Sequence, residues 1–152
     1  MKYSFLALVF TILTSCDSDK KSENIDYVAK NEQDIAAYIA ENNLEAQRSD
    51  SGLYYVIDKE GTGAQPTATS NVTVAYKGYY LSGRVFDQSD AEGISFGLNQ
   101  VIKGWTEGIP YFKEGGNGIL LVPAHLGYGN YDYRGIPGGS VLIFEVSLIS
   151  VN

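Results

Sequence analysis

Asn71-Val72-Thr73-Val74-Ala75-Tyr76-Lys77-Gly78-Tyr79-Tyr80-Leu81 alternates along its length, with Val72, Val74 and Tyr76 on one side and Thr73, Ala75 and Lys77 on the other. A period of two describes a strand with one buried face. Ser82-Gly83 follows as a hairpin turn. The pattern repeats outward from this strand. Leu53 to Ile57 begins a strand that Glu60-Gly61-Thr62-Gly63 turns, and Ile119 to Val122 and Ser140 to Val151 supply others. In the last, Leu142, Phe144, Val146 and Leu148 alternate with Ile143, Glu145, Ser147 and Ile149, so one face is expected to pack inward. A short helix is expected near Lys103 to Ile109, closed by Pro110, because proline lacks the helix donor and clashes with the preceding turn. The expected class over residues 51–152 is α+β, a curved antiparallel sheet wrapped around one short helix.

Upstream, Ile35, Ala36, Ile39, Ala40 and Leu44 make one apolar stripe. It predicts a short helix from Glu32 to Leu44, within an extension over residues 32–50. So short a helix is expected to dock on the domain, in a monomer. At the start, Lys2 precedes the apolar run Phe5 to Leu13, which has the form of an export signal. That run falls well short of the ~20 apolar residues a membrane-spanning helix needs. It ends in Leu13-Thr14-Ser15-Cys16, which resembles the lipobox of bacterial lipoproteins, and Cys16 is the only cysteine. The expectation is a signal peptide over residues 1–15, a lipid on Cys16 and a solvated tether over 16–31 that opens with the polar run Asp17 to Asn24. The protein would then be anchored outside the cytoplasm in a bacterial cell envelope, at the outer membrane.

The 152 residues hold one ordinary domain plus an extension, and 17 glycines with 12 tyrosines favour strands and turns over a helix bundle. A net charge of −7, with no cluster of Lys and Arg to offset it, argues against a nucleic-acid surface. The sole histidine, His125, sits in Pro123-Ala124-His125-Leu126 with no metal partners in view. Asp87-Gln88-Ser89-Asp90 lacks the spacing of a calcium loop, and Gly115, Gly116 and Gly118 do not make a phosphate loop. No nucleophile–base pair is evident either. What recurs instead is aromatic and branched residues, enough for an apolar pocket edged by a few polar groups. Rotation about the peptide bond before proline is a reaction that needs such a cleft more than it needs proton transfer.

Six stretches carry a resemblance: Val74 to Gly78, Gly83 to Asp87, Phe96 to Trp105, Val122 to Gly129, Gly135 to Gly138 and Leu142 to Val146. In this order they resemble the FKBP-type (macrolide-binding) peptidyl-prolyl cis–trans isomerases over about residues 51 to 152. The resemblance implies proline-containing segments as substrates, macrolides as a further ligand class, and neither cofactor nor metal. It makes Trp105 the pocket floor and Tyr76, Phe86, Val101, Ile102 and Phe144 its walls. It places Asp87 at the edge near the substrate carbonyl, and gives the Ile102 backbone N–H and the Tyr128 hydroxyl to the substrate as donors. Gln100 would contact ligand through its backbone carbonyl, and Ile136-Pro137 would lie over the site.

Three departures bear on specificity. Ile94 stands where many members carry an aromatic ring. The segment between Asp87 and Phe96 is short and holds no arginine to pair with Asp87, and Arg84 shares the face of Phe86 only if that strand is regular. The loop Asn130-Tyr131-Asp132-Tyr133-Arg134-Gly135 either extends the groove or is plain exposed surface. Phe96 and Phe144 are equally readable as core. Beside the isomerase stand two rivals, a module that binds proline segments and a chaperone with little catalysis.

Overall fold

The computed structural model describes residues 25–152. Helix α1 (Tyr27–Glu41) comes first, and its caps set its bounds. Asp26 Oδ1 accepts from the N–H groups of Val28 (3.0 Å) and Ala29 (3.2 Å). At the other end Asn43 adopts the left-handed region (φ 51), and the Leu44 N–H returns to the Ile39 carbonyl at 3.0 Å. The helix therefore starts ahead of the expected Glu32, so residues 27–31, expected as tether, are helical. Its buried line differs too. Asn31 and Ile35 are buried, while Ala36 and Ala40 face solvent.

Seven strands form one sheet: β1 (Gln47–Arg48), β2 (Tyr54–Lys59), β3 (Asn71–Tyr80), β4 (Val85–Gln88), β5 (Ile94–Gly97), β6 (Asn117–Val122) and β7 (Leu142–Val151). Their order is β1-β2-β6-β7-β3-β4, with β5 also on β3, and every pairing is antiparallel. One edge of β3 pairs with β7 from Val72 to Tyr80. The other carries β5 against Asn71 to Val74 and β4 against Lys77 to Tyr79, in tandem. Helix α2 (Lys103–Gly108) lies against the sheet. As expected, α2 ends just ahead of Pro110: its last α-type bond runs from the Ile109 N–H to the Trp105 carbonyl, and the chain then tightens into a 3-10 turn, Ile109–Tyr111, that contains the proline. Near the start of a turn the missing N–H has no partner to lose.

The sheet is buried along one face and, where α1 covers it, at one end of the other. Leu120, Val122, Leu142, Phe144, Val146 and Leu148 point toward α2 and pack with Trp105, Ile109 and Phe112. Leu121 and Ile143 point the other way, onto Ile35 of α1, with Val141 beside them. The expectation of one inward face on β7 was therefore incomplete: Ile143 is 0% exposed. Each such aliphatic side chain contributes roughly 1.5–3 kcal/mol when fully buried. Among the described residues no helix is long and apolar enough to cross a membrane.

Candidate active site

Four rings from four elements meet on the α2 side of the sheet. Trp105 comes from the first turn of α2, Tyr76 from β3, Phe86 from β4 and Phe144 from β7. Trp105 stands edge-on to Tyr76 (centroids 5.0 Å, 87°) and to Phe144 (5.2 Å, 82°), and Phe144 is edge-on to Phe86 (5.6 Å, 87°). Edge-to-face contacts set the positive rim of one ring on the negative face of the next. Gly78 permits this closeness, since a Cβ there would lie 2.7 Å from Phe86 Cζ and 3.0 Å from Phe144 Cε1.

The rings leave a cavity of about 440 Å³. Tyr76, Phe86, Asp87, Ile94, Gln100, Val101, Ile102, Trp105, Tyr128 and Phe144 all line it. Ile136 does not; it borders an adjoining groove that shares Phe86, Asp87 and Tyr128 with the cavity. Phe96, which the sequence allows as plain core, also lines the cavity and tilts onto Trp105 at 5.4 Å. Ile94 is 46% exposed, so that part of the rim is aliphatic and wet. Cys16 lies outside the described residues. A larger depression of about 520 Å³ occupies the other face of the sheet, among Asp58, Lys77, Asp90 and Glu145. Its polar lining offers little to hold an apolar ring.

Polar groups are few and lie at the rim. The Tyr76 hydroxyl donates to Asp87 Oδ2 at 2.6 Å. Burial first, and this bond second, push the Tyr76 phenol well above the ordinary tyrosine value of 10.0. Tyr128 is raised as well, by burial and then by the charge of Asp87. The Tyr76 backbone N–H is held by Ser89 Oγ at 2.9 Å, and the Ser89 N–H by the Tyr76 carbonyl at 3.0 Å, which closes the gap between β4 and β5. On the opposite rim Thr106 Oγ1 donates to the Leu98 carbonyl, steadying the segment that carries Gln100, Val101 and Ile102. Ile102 is the N-cap of α2, where backbone N–H groups have no partner within the helix.

Arg84 does not meet Asp87 across β4. The register of β3 and β4 shifts between Gly78 and Tyr79, and the Arg84 guanidinium lies over the Tyr80 ring at 4.7 Å. His125 lines no part of the cavity; its Nε2 pairs with the Ser51 carbonyl at 2.8 Å. Among the described residues no three His, Cys, Asp or Glu side chains converge as a metal-binding cluster.

The cavity thus has a floor of indole, walls of phenyl and aliphatic groups, and a phenol–carboxylate pair at its rim. A family model described as FKBP-type peptidyl-prolyl cis-trans isomerase matches residues 62–149. The chain belongs to this family. Over 141 residues it is 37% identical to the FKBP-type isomerase FkpA of Aeromonas hydrophila, covering 91% of this chain and 51% of that protein. The crystal structure of FkpA from Escherichia coli superposes with a TM-score of 0.69 at 37% identity, over 82% of this chain and 64% of that one. A peptidyl-prolyl isomerase of Pseudomonas syringae pv. tomato superposes with a TM-score of 0.74 at 28% identity, over 83% and 93%. The chain spans about half the length of the curated relatives it matches.

Within this FKBP-type frame, two features had no clear signal in the sequence. Tyr133 stacks on Tyr128 (5.2 Å, 13°), whereas Tyr131 is 86% exposed, so the tyrosine-rich loop divides between the two readings. Asn31, on α1, is the one buried polar residue among those described. Its Nδ2 donates to the Gly139 carbonyl (2.9 Å), and its Oδ1 accepts from the Ala124 N–H (2.8 Å). Gly129 joins the same two points, donating to the Ala124 carbonyl (2.8 Å) and accepting from the Gly139 N–H (2.9 Å). One side chain thus holds both ends of the loop that carries Tyr128 and Ile136. Gly139 itself is left-handed (φ 76) beneath Tyr27, and a Cβ there would come within 1.8 Å of that ring. An asparagine on a helix reads as surface until its partners are known.

Proposed function

We propose that the chain accelerates cis–trans rotation about X–Pro bonds, with Tyr76, Phe86, Asp87, Trp105, Tyr128 and Phe144 as its working residues. The observation that carries this is the aromatic cavity of about 440 Å³, edged by the Tyr76–Asp87 pair and Tyr128. Rotation must break the amide resonance, a barrier of roughly 18–20 kcal/mol. The planar imide is the more polar state, and the twisted one has lost its charge separation. A dry aromatic cleft therefore favours the twisted state over the ground state, without a covalent step. The proline ring would lie on Trp105 between Tyr76, Phe86 and Phe144. Ile94, Gln100, Val101, Ile102 and Ile136 would contact the flanking chain, with the Ile102 N–H and the Tyr128 hydroxyl donating to carbonyls.

The substrates would be proline-containing segments of exported proteins. The run ending in Cys16 supports a cleaved leader, a lipid on that sulfur and an envelope location, and the residues after it would be a tether running up to α1. A domain from residue 51, with the segment around α1 as its extension, completes the proposed organisation. Helix α1 commits its buried face to its own sheet, which supports a monomer. Equal incorporation of labelled palmitate into wild type and Cys16→Ala would remove the anchor from this account.

The deciding experiment is refolding of a protein whose slow phase is limited by proline isomerisation. Acceleration that Phe86→Ala or Asp87→Ala abolishes supports the enzyme. Binding of proline peptides without acceleration supports the module instead, a reading that the exposed aliphatic Ile94 favours. Tyr76 and Tyr128 both keep their protons through neutral pH, because their values are raised above 10.0. The rate should accordingly stay flat from about pH 6 to 8, and a bend there would point to acid–base chemistry.

A further inference from the structure

Beside the cavity lies the adjoining groove of about 400 Å³, bordered by Tyr80, Arg84, Arg134 and Ile136. Phe86, Asp87 and Tyr128 form the shared wall, so a peptide with its proline on Trp105 passes directly into the groove. Two guanidiniums enter it from separate parts of the chain. Arg84 comes from the β3–β4 turn and Arg134 from the loop between β6 and β7.

Each guanidinium is braced on an aromatic ring. Arg84 Cζ lies 4.7 Å from the centre of Tyr80, and Arg134 Cζ lies 5.4 Å from that of Tyr133, which is itself stacked on Tyr128. The loop holds Arg134 in the left-handed region (φ 47), which residues with a Cβ adopt reluctantly. The Gly138 N–H on Asp132 Oδ1 (2.8 Å) and the Tyr133–Ile136 bridge fix the turn that does so. Among the described residues the ion pairs are Lys30–Asp34, Arg48–Glu32 and Lys113–Glu60, and neither groove arginine takes part. The one carboxylate lining the groove, Asp87, already accepts the Tyr76 hydroxyl. On a chain of net charge −7, this rim is locally positive.

We propose that Arg84 and Arg134 form a subsite for a carboxylate on the substrate chain, so that segments with Asp or Glu next to the proline are preferred. The proposal rests on the isomerase reading above and adds substrate selectivity to it. Guanidinium is suited to this because it stays charged, lies flat on an aromatic ring, and keeps N–H groups free to chelate a carboxylate.

The test is a set of blocked peptides on one scaffold, with Glu, Gln or Lys placed before the proline in one series and after it in another. Cis–trans exchange is followed by NMR with the whole protein. In at least one series the Glu peptide should exceed the Gln peptide in kcat/KM by roughly fivefold, with Lys below both, and the contrast should shrink in high salt. The double variant Arg84→Gln/Arg134→Gln should bring Glu and Gln to parity while leaving the Gln peptide at its wild-type rate. Arg84→Glu/Arg134→Glu should invert the order, which shows that charge rather than a disturbed loop is being read. Equal rates for the three wild-type peptides in both series, or a contrast that survives the double variant, overturns the subsite. Failure to accelerate even the Gln peptide overturns the isomerase reading instead. The same Glu-to-Gln comparison, read as affinity by chemical-shift titration, then decides the subsite independently.

Discussion

The two faces of the sheet are built on opposite terms. On one, Ile35 of α1 seals Leu121, Val141 and Ile143 into a small aliphatic cluster. Around it run polar ties: the Tyr54 hydroxyl to Glu32 Oε1 at 2.6 Å, and Arg48 to both carboxylate oxygens of Glu32 at 3.0 and 3.2 Å. On the other face, Trp105, Tyr76, Phe86 and Phe144 prop each other apart and leave a cavity. The aliphatic groups close-pack around Ile35, whereas the four rings border an open concave space. The face that holds the cavity stays unfilled, and the strands beneath it draw part of their support from the helix behind. Asn31 joins the two, reaching from α1 to the loop ends beside the pocket.

This contrast predicts that stability and activity separate by face, and the largest test is Ile35→Ala. It should lower unfolding free energy by about 2–5 kcal/mol in urea titrations, with the isomerisation rate per folded molecule unchanged. A large drop in that rate would mean the faces are not separable. Asn31→Ala should blur the division. Leaving the Gly139 carbonyl and the Ala124 N–H without their partner should cost about 1–3 kcal/mol. Unlike Ile35→Ala, it should also reduce kcat, because Tyr128 and Ile136 lose their anchored loop. Unchanged kcat would confine Asn31 to a structural role.

Tyr76→Phe tests the opposite face in isolation. It removes only the donor to Asp87, so stability should move by about 1 kcal/mol or less while the rate falls roughly fivefold. The smallest expected effect is a pH dependence. The Tyr54 hydroxyl first, and Arg48 second, hold Glu32 below its ordinary value of 4.5. A lowered carboxylate stabilises the fold above its unfolded value and loses that contribution as pH falls through the folded one. The stability gap between wild type and Glu32→Gln should therefore be full at neutral pH and close as pH drops below 4.5, with pocket activity at neutral pH equal in both. A gap that is constant with pH would sever Glu32 from the docking of α1.

Much of this architecture is legible in the sequence. The alternation in Asn71 to Leu81 and the residues following Val101 locate β3 and α2, and every residue assigned to the pocket lines the cavity except Ile136, which borders the adjoining groove. The failures have a common cause. Periodicity records which side of an element is apolar, but not how many neighbours it meets. Ile119-Leu120-Leu121-Val122 and Val141-Leu142-Ile143-Phe144 are unbroken apolar runs, a pattern that already marks strands buried on both faces. The apolar stripe places α1 too late, because two of its alanines face solvent and the cap at Asp26 sets the true start.

By itself, then, the sequence determined local geometry and the chemical character of the pocket: alternation makes strands, and the choice of rings over acids and bases makes an apolar cleft. Only the tertiary structure decided that a polar asparagine would be buried, that Tyr133 would lie on Tyr128, and that Arg84 and Arg134 would share one groove. Each of these joins residues from separate parts of the fold through a hydrogen bond, a stack or a common wall. Such contacts are set by how the elements pack, and neighbouring residues leave no periodic trace of them.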